Sequence, residues 1–212
     1  MKITIREEKE SDYRRVEEVT REAFWNLHVP GCDEHYLTHK MRKHPDFIPS
    51  LDLVAIYKDE IIGNIMYSKS SLLDETNKRL DAITFGPVSV LPAFQKKGVG
   101  SQLIRYSLNL ATQRGDKVVI IEGHPQNYCR HGFRSSKDFL VSDADGRYPY
   151  SLLVLELEKG ILQRGKWRYY PSDVYNMNPE DSLEFDKQFE PRKKEYSHTQ
   201  EEFSIACRAY LL

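Results

Sequence analysis

The chain has 212 residues, a formal net charge of −1 and three cysteines. This length suffices for one domain that buries a core without disulfides or metals, and the near-neutral charge argues against a nucleic-acid-binding protein that works by bulk electrostatics. The cysteines Cys32, Cys129 and Cys207 are widely spaced and odd in number, which is typical of reduced thiols. No signal peptide or membrane-spanning apolar run is visible, so we expect a cytoplasmic protein that binds no membrane.

The N-terminal part is predicted to form a strand followed by a helix. Lys2 to Arg6 alternates apolar and polar side chains, which indicates the strand. Ser11 or Asp12 is expected to cap the helix. Apolar residues recur on one helical face, which should pack on the core: Tyr13, Val16, Val19, Ala23 and Phe24.

The segment from His28 to His44 is rich in side chains that can bind metal ions. His35 and His39 are four residues apart and would share one face of a helix. A closed metal site, however, prefers paired cysteines or a further carboxylate at tight spacing. We therefore predict no metal site from the potential ligands of this segment, which are His28, Cys32, His35, His39 and His44.

A three-stranded meander is predicted next, from Leu51 to Tyr57, from Ile61 to Ser70 and from Leu80 to Val90. The third strand is apolar on both faces near its end, as expected for a central strand. Pro87 cannot donate a hydrogen bond to a neighbouring strand, so we expect the pairing to be broken or bulged there.

The third strand leads into the loop Gln95-Lys96-Lys97-Gly98-Val99-Gly100, and a periodic helix follows. The unpaired N–H groups and the positive dipole at a helix N-terminus can bind a phosphate, and Lys96 and Lys97 add positive charge. A P-loop is disfavoured because Ser101 follows the last glycine where a lysine is needed. A dinucleotide fingerprint is disfavoured because its third glycine is missing.

The helix should end near Arg114 and Gly115, and Lys117 to Glu122 is predicted to be a buried parallel strand. Pro125 is expected to start a short helix that carries Tyr128. Ser151 to Glu158 is predicted to be the last strand. Beyond it the composition becomes aromatic and then highly charged, so we predict a domain over residues 1–158 and an extension over 159–212.

Two motifs of this chain resemble those of the GNAT N-acetyltransferase superfamily. Gln95 to Gly100 is similar to its acetyl-CoA signature, and Tyr128 to Phe133 is similar to its pattern of tyrosine, three residues, glycine and phenylalanine. Gly123 to Tyr128 further resembles a branch of small bacterial predicted acetyltransferases. The resemblance covers residues 1 to about 158 and implies an α/β fold, with a mixed central sheet of about six to seven strands flanked by helices.

The resemblance implies an enzyme that moves the acetyl group of acetyl-CoA to a primary amine by direct attack in a ternary complex. In this family the fourth strand splays from the fifth and exposes backbone groups to the pantetheine arm, so an N–H group near Val88 to Val90 would polarise the carbonyl. The implied cofactor-binding residues are Val88, Ser89, Val90, Gln95, Lys96, Lys97, Gly98, Val99, Gly100, Ser101 and Asn127.

Tyr128 stands where the tyrosine of the family protonates the departing sulfur. A base is also useful, because the amine must be neutral to attack and its neutral form costs about 4.6 kcal/mol at pH 7 for a pKa near ~10.4. Glu122, at the carboxyl end of its strand, is our first candidate for this base, acting directly or through water. His124 and Glu34 are the alternatives.

The region around Asp33, Glu34 and His35 forms the floor of the acceptor site in the family, which makes these residues substrate-side candidates. Their other interpretation is a helix cap followed by surface charge. A small polyamine, an antibiotic, an amino acid or a protein lysine remains open as the acceptor. A non-catalytic acyl-CoA-binding or sensory protein is the alternative function, and the extension is expected to cover the core or a second subunit of a homodimer, or to form a substrate lid.

Overall fold

The computed structural model describes residues 1–163 and 165–212. Its strands are β1 (Thr4–Glu7), β2 (Leu53–Tyr57), β3 (Glu60–Asp74), β4 (Arg79–Val90), β5 (Val118–Glu122), β6 (Arg134–Ser135), β7 (Val141–Ser142), β8 (Leu152–Glu156) and β9 (Trp167–Tyr170). Within the described residues these nine strands form one mixed sheet in the order β1-β2-β3-β4-β5-β8-β6, and β9 pairs with β3 and β7. The predicted six to seven strands are exceeded because short strands such as β6 and β7 also join the sheet.

Helices cover both faces of this sheet. The α-helices are α1 (Tyr13–Phe24), α2 (Glu34–Met41), α3 (Val99–Arg114), α4 (Pro125–Tyr128), α5 (Pro179–Asp186) and α6 (His198–Arg208). Side chains of neighbouring positions in a strand point to opposite faces. On one face, the buried hydroxyl of Tyr67 in β3 bonds Ser107 of α3 at 2.8 Å. On the other face, the buried hydroxyl of Ser89 in β4 bonds Thr20 of α1 at 2.9 Å.

The predicted meander and its interruption are confirmed. Strands β2, β3 and β4 pair antiparallel in sequence, and the register between β3 and β4 shifts between Ile65 and Tyr67, opposite the segment that contains Pro87. Just before this irregularity, β4 leaves its other neighbour. It pairs with β5 only through Ile83 and Thr84, so the predicted separation of these two strands is also found. The gap between them opens the edge of β4 to a ligand.

Two local predictions are wrong. Asp12 precedes α1, but its carboxylate accepts hydrogen bonds from Arg6 at 2.6 Å and from the Lys9 N–H at 2.8 Å, and no side chain caps the helix. The strand predicted from Ser151 is present as β8, but it is not the last. Trp167 and Tyr169 are buried while Arg168 between them is exposed, and this alternation forms a further strand, β9, on the edge of β3.

The segment beyond the predicted boundary at residue 158 packs against the rest of the chain. Besides the pairing of β9, Arg21 of α1 binds Asp186 of α5 through two hydrogen bonds of 2.7 and 3.2 Å. The indole N–H of Trp25 donates to the Lys193 carbonyl at 3.0 Å. Among the described residues, no helix combines the length and the apolar character that crossing a membrane requires.

Candidate active site

A cavity of about 830 Å³ lies where β4 and β5 separate. Several parts of the chain contribute to it, among them β4, the loop before α3, the segment from the end of β5 through α4, the region from the end of α1 to the start of α2, and the C-terminal segment. The residues predicted as functional that line this cavity are Glu34, Val88, Val90, Gln95, Lys96, Gly98, Val99, Gly100, Ser101, Glu122, His124, Asn127 and Tyr128. Residues that are far apart in sequence therefore meet in one concave site.

The loop before α3 presents a helix N-terminus to this cavity. Gly98 is the N-cap of α3 with a φ of 83°, a left-handed conformation that favours glycine, and no side chain caps the first turn. Gln95 holds the loop on the sheet by donating to the Val90 carbonyl at 3.0 Å. Since the first N–H groups of a helix lack intrahelical partners, they are available to an anion.

Basic side chains surround this helix N-terminus. Lys96 and Arg130 line the cavity, and burial together with the positive charges of Arg105 and Arg130 lowers the pKa of His131. Lys97 is different, because its ammonium donates to the Ala93 carbonyl at 2.8 Å and does not line the cavity. The open N–H groups and the neighbouring cations fit the phosphates of CoA.

Tyr128 is held by aromatic packing, with its hydroxyl left open. Its ring centroid lies 5.8 Å from that of Phe85 and 6.2 Å from that of Phe133. The ring also lies against Gly123, where an added Cβ would come within 2.5 Å of Cε2. No described protein group hydrogen-bonds with the hydroxyl, and burial raises the pKa of Tyr128 to about 12. The phenol is therefore protonated at neutral pH and can donate.

Glu122 is the last residue of β5, and its carboxylate faces the cavity without a protein partner. Among the described residues it forms no hydrogen bond and no salt bridge. The surrounding protein, and secondarily the negative charge of Asp143, raise the pKa of Glu122. A carboxylate with a raised pKa binds a proton more strongly, which suits a general base.

The two alternative bases are placed differently. His124 lines the cavity at the N-cap position of α4, where its side chain caps no N–H group. Glu34 also lines the cavity, but its carboxylate is already engaged. One oxygen lies 3.0 Å from Nδ1 of His28, and the other accepts the Asp33 N–H at 3.1 Å. Of these two carboxylates, Glu122 is the one without a protein partner among the described residues.

Asp33, His35 and Ser89 do not line the cavity. The Asp33 carboxylate accepts a hydrogen bond of 2.8 Å from Ser182 of α5. His35 is fully buried, with Nε2 3.0 Å from the Asp186 carboxylate, and its side chain packs against the phenylalanines of the same region. These two predicted substrate residues therefore hold α5 in place, whereas the Ser89 side chain lies under α1.

The other histidines of this region do not converge on one metal. Cys32 Sγ lies 3.3 Å from Nδ1 of His35, inside the protein. His39 pairs with Glu17 at 3.0 Å, whereas His44 bonds Asp173 at 2.8 Å. Among the described residues, His44 is the one predicted ligand that belongs to a group of three whose ligand atoms lie within 4.8 Å of one another, together with Asp46 and Asp173.

Sequence reasoning missed the contribution of the C-terminal segment to the cavity. Its wall there is formed by Tyr169, Pro171, Tyr175 and Phe203. The Tyr169 hydroxyl bonds Thr84 at 2.7 Å, and that of Tyr175 accepts from Ser68 at 3.2 Å. The aromatic cluster after residue 160 was the available signal, but no motif tied it to the distant loop and strands.

Comparison with known proteins gives the family. A model of the acetyltransferase (GNAT) family matches residues 20–133, a little more than half of the chain. The chain therefore belongs to the GNAT family. The uncharacterized N-acetyltransferase YjhQ of Escherichia coli (strain K12) is 34% identical over 85 residues, which are 40% of this chain and 46% of that protein. This match spans less than half of the relative's length.

Solved structures share the fold. A GNAT family N-acetyltransferase, YhbS of Escherichia coli, crystallised with CoA, has a TM-score of 0.71 at 20% identity and covers 84% of this chain and 93% of that one. A GNAT family acetyltransferase of Brucella melitensis, crystallised with acetyl-CoA, has a TM-score of 0.65 at 22% identity and covers 82% and 98%. The predicted fold, a mixed sheet flanked by helices, is thereby confirmed.

Proposed function

We propose that this chain is an N-acetyltransferase that moves the acetyl group of acetyl-CoA to a primary amine by direct attack in a ternary complex. The observation that carries the proposal is the one cavity in which the N-terminus of α3, the Tyr128 hydroxyl and the Glu122 carboxylate meet, each without a side-chain partner in the described part of the chain. Membership of the GNAT family and relatives crystallised with CoA or acetyl-CoA support the same reaction.

The N-terminus of α3 would hold the phosphates of the donor. Acetyl-CoA supplies the activated acyl group as a thioester. The N–H groups of the first turn, with Lys96 and Arg130 beside them, provide hydrogen bonds and positive charge to its phosphates. Val88 and Val90, where β4 has left β5, present the edge of a strand to the rest of the donor, and an N–H group there polarises the carbonyl.

Tyr128 acts on the leaving sulfur. The reference pKa of a phenol is ~10 and that of a thiol is ~8.5, so proton transfer from the phenol to the thiolate costs about 2 kcal/mol. Burial raises the pKa of Tyr128 to about 12, which makes complete proton transfer harder but keeps the hydrogen on the oxygen throughout the neutral range. The phenol therefore contributes mainly a hydrogen bond that strengthens as negative charge develops on the sulfur.

Glu122 acts on the amine. An acceptor amine enters mainly as an ammonium ion, which the unpaired carboxylate attracts, and it must lose a proton before it can attack. The raised pKa of Glu122 makes the carboxylate a better proton acceptor than a carboxylate with the ordinary pKa. His124 and Glu34, which line the same cavity, are the alternative bases.

The test is acetyl transfer to a panel of primary amines, measured as the release of free thiol from acetyl-CoA and as the acetylated product by mass. We expect turnover with at least one amine of the panel, together with CoA binding by calorimetry. Binding of CoA without any transfer would replace the enzyme by the acyl-CoA-binding or sensory alternative. Failure to bind CoA would overturn both.

A further inference from the structure

We propose that the acceptor is a small primary monoamine with an apolar body and no carboxylate, and that Phe203 of α6 selects it. This inference rests on the proposed function and narrows its substrate. It follows from three features of the cavity, namely the distribution of charge, the apolar wall from the C-terminal segment and the space available.

The cations that line the cavity lie near the start of α3. Lys96 is in the loop before this helix, and Arg130 is next to His131, whose Nε2 lies 3.4 Å from Ser101 Oγ in the first turn. Of the two lining carboxylates, Glu34 has both oxygens in contact with protein N atoms, His28 Nδ1 at 3.0 Å and the Asp33 N–H at 3.1 Å, so Glu122 is the one that lacks a partner among the described residues. Glu122 is therefore the carboxylate whose oxygens can accept the hydrogen bonds of an ammonium group.

This arrangement discriminates among amines. The additional ammonium groups of a polyamine or an aminoglycoside would find no second lining carboxylate, among the described residues, whose oxygens lack a protein partner. Taking these groups out of water without such a partner is costly in a partly closed site. The carboxylate of an amino acid would face Glu122 rather than a cation, because Lys96 and Arg130 lie at the donor end. A monoamine without a carboxylate avoids both penalties.

One wall of the cavity is apolar and aromatic. Phe24 and Leu27 contribute from α1 and its end, and Tyr175 and Phe203 from the C-terminal segment. Phe203 stacks on the ring of His28 with centroids 4.2 Å apart and an interplanar angle of 16°. An apolar body therefore finds matching surface, and replacing water there is favourable.

The position of Phe203 is fixed by the attachment of α6. Thr199 donates to the Leu27 carbonyl at 2.8 Å, and Gln200 donates to the Asn26 carbonyl at 3.0 Å. These two bonds attach α6 to the segment after α1, and Phe203 lies outside residues 20–133, which the family model matches.

The available space favours a small acceptor. The cavity of about 830 Å³ must also receive the reactive end of the donor. Ligand pockets of roughly 300–1,000 Å³ suit one drug-sized molecule. The remaining room beside Glu122 and Phe203 therefore fits a compact molecule.

The experiment is calorimetric titration of the full chain saturated with CoA, which cannot transfer an acetyl group. The probes are 2-phenylethylamine, its uncharged analogue 2-phenylethanol, phenylalanine and spermidine. We expect 2-phenylethylamine to bind at least ~10-fold more tightly than each of the others. Glu122→Gln should weaken the binding of 2-phenylethylamine by ~10-fold and leave the affinity for 2-phenylethanol unchanged. The two compounds would then bind with similar affinity.

The role of Phe203 is tested with a graded pair and a control on the same helix. Phe203→Ala should weaken 2-phenylethylamine by ~10-fold, Phe203→Leu by less, and Ile205→Ala, whose side chain is 57% exposed, not at all. CoA affinity should stay the same in all three. The inference would be overturned if spermidine or phenylalanine bound more tightly than 2-phenylethylamine, or if Phe203→Ala kept the full affinity for 2-phenylethylamine. The proposed function would still stand in that case if the protein acetylated another class of amine. Absence of CoA binding would overturn both.

Discussion

Tyr128 and Glu122 have opposite tasks in the proposed reaction, yet burial moves both pKa values in the same direction. For the phenol, a pKa raised to about 12 guarantees that the group is a donor at neutral pH. For the carboxylate, a raised pKa makes it a stronger proton acceptor. One partly closed cavity thus suits an acid and a base together, because the two groups begin the reaction in opposite protonation states.

Replacing Tyr128 with phenylalanine should slow acetyl transfer while preserving fold and CoA affinity. The ring and its packing on Phe85 remain, and only the donor is lost. Removing a general acid typically costs ~100- to ~10,000-fold, and we expect at least a tenfold drop in the single-turnover rate. Tyr106→Phe is the matched control, since its side chain is 43% exposed on α3. Equal single-turnover rates for Tyr128→Phe and the parent would show that the tyrosine only packs.

Replacing Glu122 with glutamine should lower the rate most at low pH, where the acceptor amine is most fully protonated and needs a base. Binding of CoA should change little, because the side chain lies away from the donor loop. The measurement is the rate of transfer to one amine from pH 6 to 9, with the exposed Glu60→Gln as the control. If Glu122→Gln follows the parent across this range, the base is another residue or the solvent.

Sequence alone predicted the residues that a local motif marks. Gln95 to Gly100 and Tyr128 were found in this way, and all of them except Lys97 line the cavity. The partners of Asp33 and His35 could not be found, because Ser182 lies 149 residues from Asp33 and no local pattern links α5 to α2. Two polar residues beside a predicted substrate site thus serve packing within the chain.

At the scale of elements, α3 links the sheet to the donor site, and its two ends offer a matched test. Gly98 and Gly115 flank the helix with φ values of 83° and 86°, and an added Cβ would meet no atom within 4 Å at either position. Alanine at each should cost a similar free energy of unfolding, on the order of 1 kcal/mol, from backbone strain.

Only Gly98→Ala should also weaken CoA binding, because only the N-terminus of α3 faces the cavity. The measurements are urea unfolding for stability and calorimetry for CoA affinity. We expect a several-fold loss of affinity for Gly98→Ala and none for Gly115→Ala. Equal effects of the two variants on CoA would mean that the phosphates are bound elsewhere.

At the scale of the whole molecule, the anchor of the C-terminal segment makes stability depend on pH. Desolvation lowers the pKa of the buried His35 from 6.5 to about 4, against the opposing influence of Asp186. The folded state therefore holds this side chain neutral while the unfolded state binds a proton below pH 6.5. The contribution of neutral His35 to the free energy of unfolding is complete above pH 6.5 and is lost as the pH falls towards 4.

The protonation of His35 is expected to lower the free energy of unfolding by at most about 3 kcal/mol between pH 7 and pH 4. This decrease should be absent in a variant without the imidazole. Urea unfolding at several pH values between 7 and 4 should give a smaller pH slope for His35→Gln than for the parent. His198→Gln, which changes an exposed histidine of α6, is the control and should keep the parent slope. An unchanged slope in His35→Gln would assign the acid sensitivity to other groups.

The order of strands in the centre of the sheet followed from the sequence, because the meander and the crossover through α3 are local connections. The position of β9 did not, because it pairs with β3 across some 100 residues of chain and depends on alternation over only four residues. Such long-range pairing has no signature in a single short strand.

The walls of the cavity and its proposed reactive groups lie on different stretches of the chain. Val88 to Tyr128 carries the donor loop and the two titratable groups, whereas the apolar wall comes from residues between Tyr169 and Phe203 together with Phe24 and Leu27. Mutations in the C-terminal stretch can therefore change the wall without altering the donor loop or the reactive groups. A chimera that receives the C-terminal stretch of a homologue should keep its affinity for the donor and take on the amine preference of that homologue, so new acceptors can evolve without changes to the catalytic residues.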